Sequence, residues 1–182
     1  MRKIKALIIS LILLSGTSLF AKDFDWSQCW CNYGAGIQKG DKLLSVDAGF
    51  PWHYFDAFNA SGWAIPSLAV DFQVAVPVWK LPFTFGGYGT FGLCHYDYGT
   101  FADISFGALA NYHIMLPPKN LDVYTGIKSG IGLALSNYYS NSYYVEFDWG
   151  WLIGASWFFS DRFGLNLELG YPLNKFGMEF KF

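Results

Sequence analysis

From Lys42 to its last residue this chain keeps returning to one pattern, an alternation of apolar side chains with polar or small ones. The final stretch, NKFGMEFKF, shows it most plainly. Phe176, Met178, Phe180 and Phe182 take every second position, with Lys175, Gly177, Glu179 and Lys181 between them. A period of two places the two sets on opposite faces of an extended strand. Frayed termini in water usually carry polar residues. This one ends on phenylalanine, so its apolar face is expected to meet something other than water.

Eight such segments are legible: Lys42–Phe50, Ser67–Val76, Phe83–Leu93, Asp103–Ile114, Leu121–Leu135, Val145–Phe159, Phe163–Tyr171 and Asn174–Phe182. Gly, Pro, Asn, Asp and Ser punctuate most of the joints between them. The first, third and fifth joints are long, holding PWHYFDAFNASGW, CHYDYGTFA and SNYYSNSYY; the seventh is the short PLN. The second, fourth and sixth are short: PVWKLP, MLPPKN and SDR. Strands of about 9–11 residues, with longer loops at one end and tight turns at the other, suit a tilted sheet crossing a bilayer. The predicted fold is all-β, an eight-stranded antiparallel up-and-down transmembrane β-barrel spanning 42–182.

The charges decide which face turns outward. In the seventh segment Phe163, Leu165, Leu167, Leu169 and Tyr171 share one face, opposite Gly164, Asn166, Glu168 and Gly170. In the second, Leu68, Val70, Phe72, Val74 and Val76 oppose Asp71 and Gln73; in the fifth, Leu121, Val123, Ile127, Ile131 and Leu133 oppose Asp122, Tyr124 and Lys128. A soluble ligand-binding barrel would turn the second face to water and load it with Lys and Glu. Here that face is mostly small residues with isolated charges, which suits a narrow lumen. Charged residues make up only 14% of the chain, against about 25% in an ordinary domain, while aromatics reach 21%. The aromatics gather in two belts. Trp79, Phe83, Tyr112, Trp157, Phe159 and Phe163 lie toward the short turns, and Phe50, Trp63, Trp149 and Tyr171 toward the long loops. A slip of one residue would send Asp71, Lys128 and Glu168 into lipid, so the register is firmly specified.

The N-terminus has its own logic. Arg2, Lys3 and Lys5 precede the apolar run Ala6–Leu14, and SGTSLFA follows. This predicts a secretory signal peptide over 1–21, cleaved after Ala21 or after Ser18. The apolar run is too short to span as a helix. Residues 22–41 give no clear strand and are expected to form a periplasmic segment or a lumen insert. Cys29 and Cys31 lie there, while Cys94 opens the second long loop on the other side of the membrane, too far away to bridge either. WSQC lacks the small apolar residues expected before a lipidated cysteine. Two thiols without histidine partners do not make a metal site, and neither a metal nor a cofactor is expected.

On these residues the chain resembles the small eight-stranded outer-membrane β-barrels of the OmpA/OmpX type. The likeness covers the leader and residues 42–182 and is one of pattern. Its most specific element is the terminal row Phe176, Met178, Phe180 and Phe182, similar to the C-terminal address that the barrel-assembly machinery reads in that class. The resemblance implies a bacterial outer-membrane location, with outer-membrane lipid and the assembly machinery as partners.

Two groups of residues are candidates for function. Inside an eight-stranded barrel there is room only for side chains, and buried charges must pair. Asp47, Asp71, Lys128, Glu168 and Glu179 are therefore predicted to form an ion-pair network, centred on Lys128, Asp71 and Glu168 near mid-height; it would act as a structural plug or as a gated narrow conduit. The long joints hold Trp52, Tyr54, Trp63, Tyr96, Tyr98, Tyr138, Tyr139 and Tyr143 among Asn and Ser. Tyr-rich surfaces of this kind give large contact area at low entropic cost. A host, matrix or envelope ligand is the expected partner. The net charge of −2 carries no basic patch for nucleic acid. His53, His95 and His113 form no recognisable triad with Ser and an acid, so the chain is read as a non-enzyme. The preferred function is structural and surface interaction; the alternatives are a narrow transporter of small or apolar solutes and a soluble secreted barrel.

Overall fold

The computed structural model describes residues 37–51, 62–79, 81–96, 99–114, 120–137 and 142–182. The expected leader, most of segment 22–41, Cys29 and Cys31 lie outside the described residues. Eight strands form: β1 (Lys42–Pro51), β2 (Trp63–Val78), β3 (Leu81–Tyr96), β4 (Gly99–Ile114), β5 (Leu121–Ser136), β6 (Ser142–Phe158), β7 (Phe163–Tyr171) and β8 (Leu173–Lys181). They make one closed barrel in chain order, every neighbour antiparallel, with β8 returning to β1.

The alternation of the sequence becomes the alternation of the wall. Val70, Phe72, Leu167, Leu169, Phe176 and Met178 are exposed on the outside, while Asp71, Gln73, Glu168 and Lys175 are buried within. The outward face has almost no charge, as acyl chains require. In β2 the alternation slips once. A register irregularity between Ile65 and Leu68 lets both side chains face outward. A bulge of this kind adds a residue without inverting the faces beyond it. Trp79, in the β2–β3 turn, is 92% exposed at φ +49°. That conformation is uncommon for a bulky residue, and it leaves the indole at the inner rim where an interfacial anchor belongs.

Two facing glycines show how tightly the wall is drawn. Gly107 pairs with Gly130 across β4 and β5. A Cβ on Gly107 would lie 2.2 Å from the Ser129 carbonyl oxygen, and one on Gly130 would lie 2.1 Å from that of Phe106. Only a residue without a side chain allows the backbones to approach so closely.

The wall is not level. β2 to β5 run 16 residues each and β6 runs 17, whereas β7 and β8 have 9 and β1 has 10. This corrects the expected loops. The strands extend into them, leaving 97–98 between β3 and β4 and 137–141 between β5 and β6; only 52–62 remains long. β-branched and aromatic residues in these stretches favour extended pairing, and the sheet continues until a turn is forced. Cys94 is corrected with them. It lies inside β3, fully buried and opposite Phe101, and does not begin a loop.

Candidate functional site

The interior is built in layers. At the inner end Ile37, Leu43, Ala75 and Phe158 form an apolar seal. Ile37 arrives there because the turn over 38–41 docks on β2. Gly40 N–H donates to the Ala75 carbonyl (2.9 Å), and Ala75 N–H donates to that of Asp41 (2.8 Å).

Above the seal lies a polar layer. The Thr84 hydroxyl donates to Gln73 Oε1 (2.5 Å), which also accepts from Asn111 Nδ2 (2.9 Å). His113 Nε2 lies 3.0 Å from Thr84 Oγ1, and its Nδ1–H donates to the Asp122 carboxylate at 2.9 Å. A hydroxyl, an imidazole and a carboxylate thus stand in the order of a catalytic triad, which single-residue spacing did not reveal. β4 and β5 bring it about by pairing His113 with Tyr124, beside Asp122. Thr84 and His113 are enclosed by the barrel, at 0% and 2% exposure, and the hydroxyl's proton is committed to Gln73.

At mid-height sits an ionic cluster, and its cation is Lys175. The ammonium contacts Asp71, lies 2.9 Å from Asp47 Oδ2 and 3.2 Å from Glu168 Oε2. Tyr124 donates its hydroxyl to Glu168 Oε1 at 2.8 Å. Topology explains the assembly: Lys175 opposes Glu168 on β7 and Gly49 on β1, beside Asp47 along the wall. Lys128, the expected centre, borders this cluster but makes no salt bridge to it among the described residues. Its ammonium lies over the Tyr88 ring, 5.1 Å from the centroid, and Tyr88 donates to Asp148 Oδ2 at 2.6 Å. Glu179 is buried closer to the inner end, opposite Ser45, and makes no salt bridge among the described residues. Lys175 was findable: it shares the polar phase of Glu179 and Lys181, and a short turn sets it across from Glu168.

Above Lys128 the lumen opens into an outer vestibule of about 410 Å³. Asp103, Glu146 and Asp148 line it together with Phe101, Tyr144 and Lys128, and the low rim is Tyr171, Pro172 and Leu173. The sequence placed Glu146 and Asp148 inward but gave no hint of a chamber there, because its depth depends on the unequal wall.

The aromatic candidates divide. Trp63 is in β2, stacked on His95 with centroids 5.7 Å apart, and Tyr143 is in β6, 77% exposed. These two, with Tyr96 in β3, are corrected from loop to strand; the Tyr96 side chain is not among the described ones. Trp52, Tyr54, Tyr98, Tyr138 and Tyr139 lie outside the described residues. Phe176, Met178, Phe180 and Phe182 form a row on the outside of the barrel, on β8 and just beyond it.

Comparison with known proteins agrees with this architecture. An outer membrane protein beta-barrel domain model matches residues 58–177. Among solved structures, Neisserial surface protein A is 13% identical, with a TM-score of 0.54 over 78% of this chain and 95% of its own. Ail, the attachment invasion locus protein of Yersinia pestis, is 11% identical, with a TM-score of 0.45 over 80% of this chain and 100% of its own. Ail has also been solved with the heparin analogue sucrose octasulfate. No curated protein matches the chain. With its closed eight-stranded barrel, its apolar exterior and a family match over most of its length, this chain belongs to the outer membrane protein beta-barrel domain family and resides in the bacterial outer membrane.

Proposed function

We propose that this barrel is a surface-interaction protein that binds a host, matrix or envelope partner at its outer end and passes no solute. One observation carries the reading. Below the vestibule the lumen is occupied in succession by the Lys175 cluster, the Gln73–Thr84–His113 layer and the Ile37–Phe158 seal, while above it the chamber opens outward. An eight-stranded barrel is wide enough only for such filling. Catalysis is no part of the proposal, since the hydroxyl next to His113 is enclosed. The acidic lining of the vestibule disfavours sulfated polymers there, as like charges repel. In planar bilayers the refolded protein is expected to give no single-channel steps in molar KCl. Regular steps that vanish in a Lys175 variant would support the narrow-transporter alternative in its place.

The same reading includes an assembly address formed by Phe176, Met178, Phe180 and Phe182. Its support is their common outward face on the strand that closes the barrel. Deleting Phe182 is expected to slow outer-membrane assembly several-fold in pulse-chase experiments scored by heat modifiability on gels. An unchanged rate would remove the address.

A further inference from the structure

Small residues make a recess in the vestibule wall, and carboxylates stand on both sides of it. On β4, β5 and β6, Ser105, Gly132 and Glu146 face one another in one row. The next row inward is Gly107, Gly130 and Asp148, and the next outward is Asp103, Ala134 and Tyr144. β5 thus contributes only Gly130, Gly132 and Ala134 between two strands that carry acids. A Cβ on Gly132 would lie 3.1 Å from Ser105 Oγ and 3.1 Å from Glu146 Cγ. The hydroxyl and the carboxylate therefore flank the same bare stretch of backbone.

These groups are unevenly satisfied. Asp148 accepts the Tyr88 hydroxyl, and Lys128 lies over the Tyr88 ring. Asp103 and Glu146 make no ion pair among the described residues, and Asp103 feels the like charges of Glu146 and Asp148. Lys128 is the one cation among the described lining residues, which leaves an excess of two negative charges there. Ser105 lines the same chamber at 9% exposure, and its hydroxyl has no hydrogen-bond partner among the described residues. Buried polar side chains are normally paired, so this one points to a donor or acceptor from outside the chain.

We infer that the vestibule binds a linear diamine, one ammonium held on the β4 side by Asp103 and Ser105 and the other on the β6 side by Glu146 and Asp148. The inference rests on the reading of the outer chamber as a binding site and names its ligand class. A bare divalent ion needs six or more oxygens drawn close around it. No three metal-ligating side chains converge among the described residues, so the acids suit two separated charges better than one ion. A primary ammonium brings three N–H donors, which carboxylates and an unpaired hydroxyl accept. A quaternary ammonium has none to give. β4 and β6 are two strand spacings apart, about 9–10 Å between backbones. Acidic side chains reaching inward from both shorten that span to the length of about four or five methylenes. The glycine recess of β5 passes beneath such a chain, and Phe101 and Tyr144 offer it apolar contact. The chamber volume of about 410 Å³ is that of a small-molecule site.

The probe is 1,4-diaminobutane, titrated calorimetrically at low salt into the full chain folded in an uncharged maltoside detergent. Saturable binding is expected. Three comparison cations are expected to bind at least tenfold more weakly: butylamine, which has one ammonium on the same stem, tetramethylammonium, which donates no hydrogen bond, and magnesium. D103N and E146Q keep the shape of each side chain and remove one charge. Each is expected to weaken diamine binding about tenfold, the loss of one charge-assisted hydrogen bond. S105A is expected to weaken it a few-fold. D161N removes the same charge from the exposed β6–β7 turn at the inner end, and is expected to change nothing. Heat modifiability on gels verifies that each variant folds. The inference is overturned by any of four results: no binding, equal binding of any comparison cation, unchanged affinity in both D103N and E146Q, or an equal loss in D161N. Equal binding of butylamine would mean that a single lysine side chain suffices. Conductance steps would overturn the closed lumen and leave the titration as measured. A failed titration would overturn this inference with the lumen still closed, so the two readings fail separately.

Discussion

Lys175→Met is expected to lower stability by about 3–5 kcal/mol, the usual cost of removing one partner from a buried ionic cluster. Asp47, Asp71 and Glu168 surround the ammonium, and all three are buried. Without it, carboxylates face one another in a lumen that excludes bulk water, and each must be neutralised or hydrated at a cost. Urea unfolding in short-chain phosphatidylcholine vesicles, followed by tryptophan fluorescence, measures the effect. Lys128→Met is the control. Its partner is an aromatic ring, and a cation–π contact contributes only about 0.5–2 kcal/mol. Neutralising the three carboxylates in the Lys175→Met background with Asp71→Asn, Asp47→Asn and Glu168→Gln is expected to recover much of the loss. Should Lys175→Met unfold at the wild-type urea concentration, the cluster has no structural role.

Leu167→Arg is expected to cost about 2–4 kcal/mol and to depress the assembled yield, because a basic side chain at the bilayer midplane has no water to reach. Leu167 lies at the centre of β7, between Phe163 and Tyr171, and opposes Ala155 and Phe176. The same change at Tyr143, beyond the outer belt, is expected to cost about 0–1 kcal/mol. This contrast in depth is the informative measurement, since a solvated exterior would tolerate both. Equal penalties at the two positions would mean that the bilayer does not sit where the aromatic belts indicate.

The alternation in β7 and β8 was legible because both strands are short, regular and bounded by clear turn residues. Phe163–Tyr171 was readable to the residue. The outward face of Leu167 and the inward face of Glu168 follow from period and charge alone. The unequal wall was not legible. CHYDYGTFA and SNYYSNSYY carry the polar and small residues of loops, yet their Tyr and Thr also suit strands, and cross-strand pairing decided for the sheet. The ionic centre was misplaced for a related reason. Height along a strand can be estimated from sequence, but which strands face one another across the lumen depends on stagger, and stagger follows from closure. Lys128 and Lys175 have comparable claims in one dimension; only in three does β8 set Lys175 between β1 and β7. The buried His113 network was hidden for the same reason, since its members come from β2, β3, β4 and β5.

The β1–β8 seam has a kinetic meaning. Every other pairing joins strands consecutive in the chain, so a growing sheet can add them one hairpin at a time. The seam joins the two ends, and its loop-closure entropy falls due in a single late step. Lys175 and Asp47 stand on opposite sides of that joint. Their attraction is absent from the open sheet and arises only as the ring shuts, so it acts as a latch that slows reopening more than it speeds closure.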